Sequence, residues 1–303
     1  MKILVTGGTG FIGKVLCEQL GVAGHQLRVL SRKPTSRPAG LRNAEMVAFP
    51  KPGDSALWQD AVRDCDAIVN LAGESIADGR WTEARKRALV ESRVATTRAL
   101  VDACAALPKK PQVLVSGSAV GFYGPHGDET LDETSPAGSD FLARICVDWE
   151  AEARRAEALG IRVVLLRIGI VLGQGGGALA KMVPPFKMFV GGPLGSGRQW
   201  MSWVHVDDVC GLVSFALGHP VSGPMNATAP DPRTMRDFSK ALGAALGRPS
   251  WAPVPAPVLR VALGEMSDML LTGQRVLPKV AEAAGYRFRH PALEDALRAA
   301  VAA

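Results

Sequence analysis

"VTGGTGFIGKVL", Val5 to Leu16, decides the fold. It places Gly7, Gly10 and Gly13 in a G-x-x-G-x-x-G spacing, after an apolar run and at the start of a helical pattern. A tight turn there lets an anion approach backbone N–H groups, and the helix start turns the positive end of its dipole toward that charge. Strand, glycine turn and helix together predict a dinucleotide pyrophosphate site. The stretch also nearly matches the phosphate loop of NTPases, through Gly8, Gly13 and Lys14. Val15 then stands where that loop needs a magnesium-binding hydroxyl, so the near-match is set aside. The bland alternative is a turn that binds nothing.

Further along, "LRVLSR", "EMVAFP", "AIVNLAG", "QVLVSGS" and "RVVLLRIGIV" are continuous apolar runs bounded by turn residues. Continuous apolarity means burial on both faces, as in a parallel sheet. Helical spacing lies between them, over Phe11–Gly21, Ser55–Val62, Thr82–Leu107 and Asp140–Leu159. Repeated strand–helix units predict an α/β fold, a doubly wound parallel sheet of Rossmann type. Lys33–Asn43, rich in Pro, Ser and Arg, reads as a loop. After Val171 the chain turns Gly- and Pro-rich, and helices are predicted near Asp208–Leu217, after an N-cap at Thr234, and around Val276–Ala284 and Pro291–Ala302. The plan is a nucleotide-binding domain over residues 1–174 and 204–228, with a smaller lobe from 175–203 and 229–303 interleaved with it.

The second strand ends in "LSRKP", and no acidic residue occurs between Glu18 and Glu45. An acid there would accept from the ribose hydroxyls of NAD. Ser31, Arg32 and Lys33 instead offer a hydroxyl and two cations suited to a 2′-phosphate. NADP is therefore expected over NAD; the alternative is that both cations are solvated loop charges.

The chain has 303 residues, 47% hydrophobic and 21% charged, with a net charge of +6 that suits an anionic ligand. Its Lys and Arg are scattered, which argues against a nucleic-acid partner. Cys17, Cys65, Cys104, Cys146 and Cys210 form no C-x-x-C pair, as expected of free thiols in a reducing compartment. The N-terminal run meets glycines at once and no apolar run is long enough to span a membrane. A cytoplasmic protein with no membrane partner is expected. His25, His126, His205, His219 and His290 show no metal-ligand spacing, so no metal is expected.

"TGGTGFIG", "NLAG", "SGSAVGFYG", "LLRIGIVLG" and "WVHVDDV" follow one another in the order of the extended short-chain dehydrogenase/reductases, which the chain resembles. "NLAGE", "ESRVATT", "DFLARICVDWEAEA", "GGPLGSGRQWMSWVH" and "LLTGQRVLPK" resemble an atypical branch, the epimerase family proteins, also labelled nucleoside-diphosphate-sugar epimerases, with a C-terminal domain of unknown function. The resemblance implies that Gly7, Gly8, Thr9, Gly10, Phe11 and Ile12 cradle the pyrophosphate, and that Ser31 and Arg32 hold the adenosine ribose and its phosphate. Leu71, Ala72 and Gly73 would pass beside the cofactor, Arg93 would present a polar side chain to the site, and Val171 would approach the nicotinamide. For Leu71, Ala72 and Val171 the alternative is ordinary strand packing.

Short-chain dehydrogenases exchange protons through a Tyr and a Lys four residues apart on one helix face. Measured from Glu150, those positions fall on Leu142 and Cys146. Four residues after Tyr123 is Gly127, and four after Tyr286 is His290, so neither tyrosine supplies the dyad. Ser118 and Tyr123 are the remaining catalytic candidates; each could equally serve packing or substrate contact. Arg198, Trp200 and His205 are expected at the cleft mouth, where an aromatic face and a cation could take a small polar or nucleotide-linked substrate. Two readings follow: an NADP-dependent oxidoreductase or epimerase-like enzyme, or an NADP(H)-binding sensor or scaffold.

Overall fold

The structure, a computed structural model, describes residues 1–35 and 38–302. The chain opens with β1 (Lys2–Thr6), α1 (Phe11–Val22), β2 (Gln26–Ser31), β3 (Glu45–Ala48), α2 (Ser55–Val62) and β4 (Ala67–Asn70). It continues with α3 (Glu83–Glu91), α4 (Val94–Ala106), β5 (Val113–Ala119), β6 (Thr130–Leu131), α5 (Phe141–Arg154), β7 (Arg162–Ile168) and β8 (Ile170–Leu172). Then come α6 (Leu179–Lys187), β9 (Trp200–Met201), β10 (Trp203–His205), α7 (Val206–Gly218), β11 (Gly223–Ala227), β12 (Arg233–Thr234) and α8 (Met235–Leu246). The last of these elements, α12 (Leu293–Val301), follows α9 (Ala256–Leu263), α10 (Asp268–Leu271), β13 (Arg275–Val276) and α11 (Lys279–Ala283).

Seven strands form one sheet in the order β11-β7-β5-β4-β1-β2-β3, and every pairing in it is parallel. Successive strand residues feed opposite layers. Ile3, Val5, Val29, Val69 and Val115 pack with Leu16, Leu20, Val209 and Val213 of α1 and α7. Leu4, Leu30, Ile68 and Leu114 pack with Trp58, Leu100 and Cys104 of α2 and α4. Both faces are covered, which is why the strands read as unbroken apolar runs. The sheet changes direction of growth between β1 and β4, so the strand ends there open the ligand crevice.

Two predicted elements are divided, and a third contains a turn. The helix expected over Thr82–Leu107 breaks at Ser92–Arg93, where the Ser92 hydroxyl donates to the Leu89 carbonyl and a second helix begins. The run "RVVLLRIGIV" leaves the main sheet after β7: the Gly169 amide donates to Ala227, but the Ile170 amide donates to Ser202. β8 therefore pairs with β10 instead. The loop expected over Lys33–Asn43 contains a 3-10 turn at Ala39–Leu41, and Ser36 and Arg37 lie outside the described residues. Thr234 caps α8 as expected, accepting from the Asp237 amide, while Gly247 closes it in the left-handed region.

A second core joins Leu172, Phe186, Met201, Trp203, Phe238, Leu242, Leu293 and Leu297. The segment leading into α12 is fastened to the Rossmann core by the fully buried Asp208, in the first turn of α7. Its carboxylate accepts from the Arg289 amide at 2.7 Å, the His290 amide at 3.0 Å and the Tyr286 hydroxyl at 3.1 Å. Asp208→Ala leaves these donors without their acceptor. Urea unfolding should show a loss of about 2–4 kcal/mol, since a hydrogen bond to a charged group contributes about 1.5–3 kcal/mol.

Candidate functional site

The glycine turn lies at the crevice. Gly7 has φ +70°, which L side chains rarely adopt. A Cβ at Gly13 would stand 2.1 Å from the Gly7 carbonyl oxygen, so only glycine lets α1 pack this close to the turn. The Gly10 amide donates to Gly7 at 2.9 Å, closing the turn. Gly10 caps α1 without a side-chain hydrogen bond, and no acidic residue stands in the first turn. The N–H groups of that turn and the dipole's positive end are thus available to a phosphate. Thr9, Gly10, Phe11 and Ile12 keep partial or full exposure, whereas Gly8 is buried against Val29.

Beyond β4, Leu71 and Ala72 are held to the end of β1, through Leu71 N to the Thr6 carbonyl at 3.2 Å and Ala72 N to Thr6 Oγ1 at 3.1 Å. They run beside the glycine turn, with the Leu71 carbonyl against Gly7. Gly73 rests on Arg93, whose guanidinium is occupied: it donates to the Glu74 carbonyl at 2.8 Å and the Leu89 carbonyl at 3.1 Å, and lies 5.5 Å from the Trp149 ring. Arg93 props the loop after β4. It does not present a free cation to the cleft. Val171 is half-buried in β8, paired with Val204 of β10.

At the end of β2, Ser31 is buried and its hydroxyl accepts from the Lys33 amide. Lys33 is exposed, and the Arg32 side chain is 82% exposed. Arg32 donates to Glu74 at 2.9 Å, and Arg85 reaches the other oxygen of the same carboxylate. Nothing near β2 in the sequence marks Glu74, which folding delivers from the loop after β4.

Ser118 and Tyr123 are both sealed from water, Tyr123 completely. Ser118 donates to Glu150 at 2.7 Å. Arg167, near the end of β7, grips Glu150 through Nε at 2.8 Å and Nη2 at 2.9 Å. Its third nitrogen donates to the Tyr123 hydroxyl at 3.1 Å, and that hydroxyl donates to Asn226 Oδ1 at 2.7 Å. The guanidinium also stacks 3.4 Å from the centre of the Phe122 ring. Burial pushes the Tyr123 phenol up, despite Arg167 beside it. In this arrangement both hydroxyls are committed to protein partners.

Where the dyad's tyrosine would stand, Leu142 packs near Gly121. Where its lysine would stand, Cys146 is buried, its thiol pushed up to about 12 by burial and then by Glu150. The three substrate candidates do not converge. Arg198 is exposed, with its amide bonded to Ser196. Trp200 donates to Asp128 at 2.8 Å and lies under Arg275. His205 is buried at the start of α7 beside Asp207 and His290. Arg198 precedes β9, while Trp200 on β9 and His205 on β10 face different partners.

An all-parallel sheet with a glycine turn at its switch point defines a dinucleotide-binding Rossmann protein. The profile of the NAD dependent epimerase/dehydratase family matches residues 3–228, and a domain of unknown function, DUF1731, matches residues 254–300. The chain belongs to that epimerase/dehydratase family. It is 44% identical to the chloroplastic SDR39U1 homolog of Arabidopsis thaliana, covering 99% of this chain and 86% of that protein. It is 41% identical to the epimerase family protein YfhF of Bacillus subtilis, over 100% of this chain and 98% of that one. The crystal structure of human epimerase family protein SDR39U1 with NADPH superposes with a TM-score of 0.88 at 36% identity, covering 99% of both chains. A Thermotoga maritima UDP-glucose 4-epimerase, 19% identical with a TM-score of 0.83 over 99% of this chain and 97% of that one, shares the fold. No helix among the described residues is long and apolar enough to cross a membrane.

Arg167→Met removes the cation that compensates the buried Glu150 carboxylate. Chemical denaturation should show a loss of about 3–5 kcal/mol, and the Arg167→Met/Glu150→Leu double variant should recover much of it, because no lone charge then remains buried.

Proposed function

We propose that this protein binds NADP(H) across the glycine turn and does not perform the Tyr-Lys proton exchange of nucleotide-sugar epimerases. The first half rests on the uncapped start of α1 beside the basic end of β2. The likeness to a relative solved with NADPH supports it. The second half is carried by one observation: the helix that should hold the dyad has Leu142 and Cys146 in its place, and Ser118 is spent on Glu150. A hydride could still be exchanged with a small polar substrate if water supplied the proton. The occupied side chains favour the other reading, an NADP(H)-responsive binding protein.

Arg32 decides the cofactor preference in this reading. A 2′-phosphate must draw it from Glu74, replacing one exposed ion pair with a stronger charge-assisted contact. By calorimetry NADPH should bind at least about ten-fold more tightly than NADH, or ~1.4 kcal/mol. Arg32→Ala should remove most of the difference, and Glu74→Gln should widen it. Equal affinities in the wild type, or an unchanged ratio in Arg32→Ala, would defeat the assignment.

Turnover supplies the second check. Incubated with NADP(H) and UDP-glucose, UDP-galactose or UDP-glucuronate, the protein should leave the sugars unchanged over hours. Rapid conversion abolished by Tyr123→Phe would show that the tyrosine reaches substrate and that this reading is wrong.

A further inference from the structure

The histidines show no metal-ligand spacing along the chain, yet folding brings two of them to one carboxylate. His205, Asp207 and His290 each offer a ligand atom, and these atoms all lie within 4.8 Å of one another. His205 Nδ1 is 3.5 Å from Asp207 Oδ2, and His290 Nε2 is 3.7 Å from the same oxygen. The two imidazole rings are 4.0 Å apart, centre to centre. Both N···O separations are too long for good hydrogen bonds, which run about 2.7–3.2 Å. They lie close to the edge of a tetrahedral coordination shell, roughly 3.3–3.4 Å for bonds of about 2.0–2.1 Å.

We propose that His205, Asp207 and His290 form a transition-metal site of zinc class, which staples the segment leading into α12 to the start of α7. The surroundings are built for it. Gln19, on α1, donates to Asp207 Oδ1 at 3.2 Å, which leaves Oδ2 turned to the imidazoles. Asp208 fixes the backbone of His290 through its amide. His205 is buried, so its ring is held in place by the packing around the start of α7. The Asp207 and His290 side chains keep 34% and 21% exposure, so an ion and completing waters have a way in. Two imidazoles and one carboxylate select zinc, cobalt or nickel over magnesium and calcium. One contact competes: His205 Nδ1 accepts from the Asp207 amide at 3.2 Å, as the cap of α7. Metal binding replaces that long cap bond with a coordinate bond.

The test uses the full chain without an affinity tag, stripped by chelator and titrated with zinc chloride in a calorimeter. One equivalent should bind saturably, and the melting temperature should rise by several degrees. His290→Ala and Asp207→Asn should each weaken binding at least ten-fold while circular dichroism and NADPH affinity stay those of the wild type. Cobalt substituted into the wild type should give tetrahedral bands without thiolate charge transfer, a readout that needs no variant to fold. Absence of saturable binding at one equivalent, unchanged affinity in either variant, or thiolate bands that assign the metal to a cysteine would each overturn the proposal. None of these outcomes depends on the cofactor reading.

Discussion

The bidentate pair between Arg167 and Glu150 is the constraint on which the upper half of this molecule depends. Both side chains are almost sealed from water, so each would carry a heavy desolvation cost alone. Their mutual attraction, and further hydrogen bonds around the pair, offset it. Ser118 takes one Glu150 oxygen, Tyr123 and the Glu133 carbonyl lie on the last Arg167 nitrogen, and Phe122 covers the guanidinium face. The network continues through Asn226 to Glu133 Oε1, which also accepts from the Val280 amide of the C-terminal lobe. Burial raises the Glu133 carboxyl pKa, while those amides work the other way. One chain of polar contacts thus links β5, β7, β11, α5 and the start of α11.

That network lies apart from the cofactor cradle. The cradle is made of backbone: a glycine turn, a helix start and the strand ends that flank it. It does not depend on which side chains fill α5. Proton transfer does depend on them, because it needs a phenol and an ammonium exposed to the ligand. Here α5 turns Ala143, Ile145, Cys146, Trp149 and Glu150 inward, with a thiol held in its neutral form by burial. Cys146 is core, and Leu142 is half-buried beside it.

The cleft's rim shows the complementary effect. Loop residues after β4 are held from below by Arg93 and from the side by Arg32, Arg85 and Lys181, which reaches Ala77 and Asp78 from α6. Exposed pairs of this kind contribute little to stability. They do fix where Glu74 stands relative to the basic end of β2.

The α/β class, the glycine turn, the cap at Thr234 and the basic end of β2 were legible in the sequence. Each depends on neighbours a few residues apart: an apolar period, a turn residue, a helix start. The break at Ser92–Arg93 and the departure of β8 from the main sheet were not, since a strand's partner is chosen by a hydrogen-bond ladder from distant chain. The same holds for side-chain roles. Ser118 lies near the end of β5, Tyr123 in the turn that follows it, and Arg93 at the break between α3 and α4. Only the tertiary structure decided that Glu150 and Arg167 would consume the first two, and that Glu74 and Leu89 carbonyls would occupy the third. His205, Asp207 and His290 meet for the same reason. Local pattern follows from covalent neighbours, but the partner of a buried polar group is whichever group, however far along the chain, satisfies it when water is excluded.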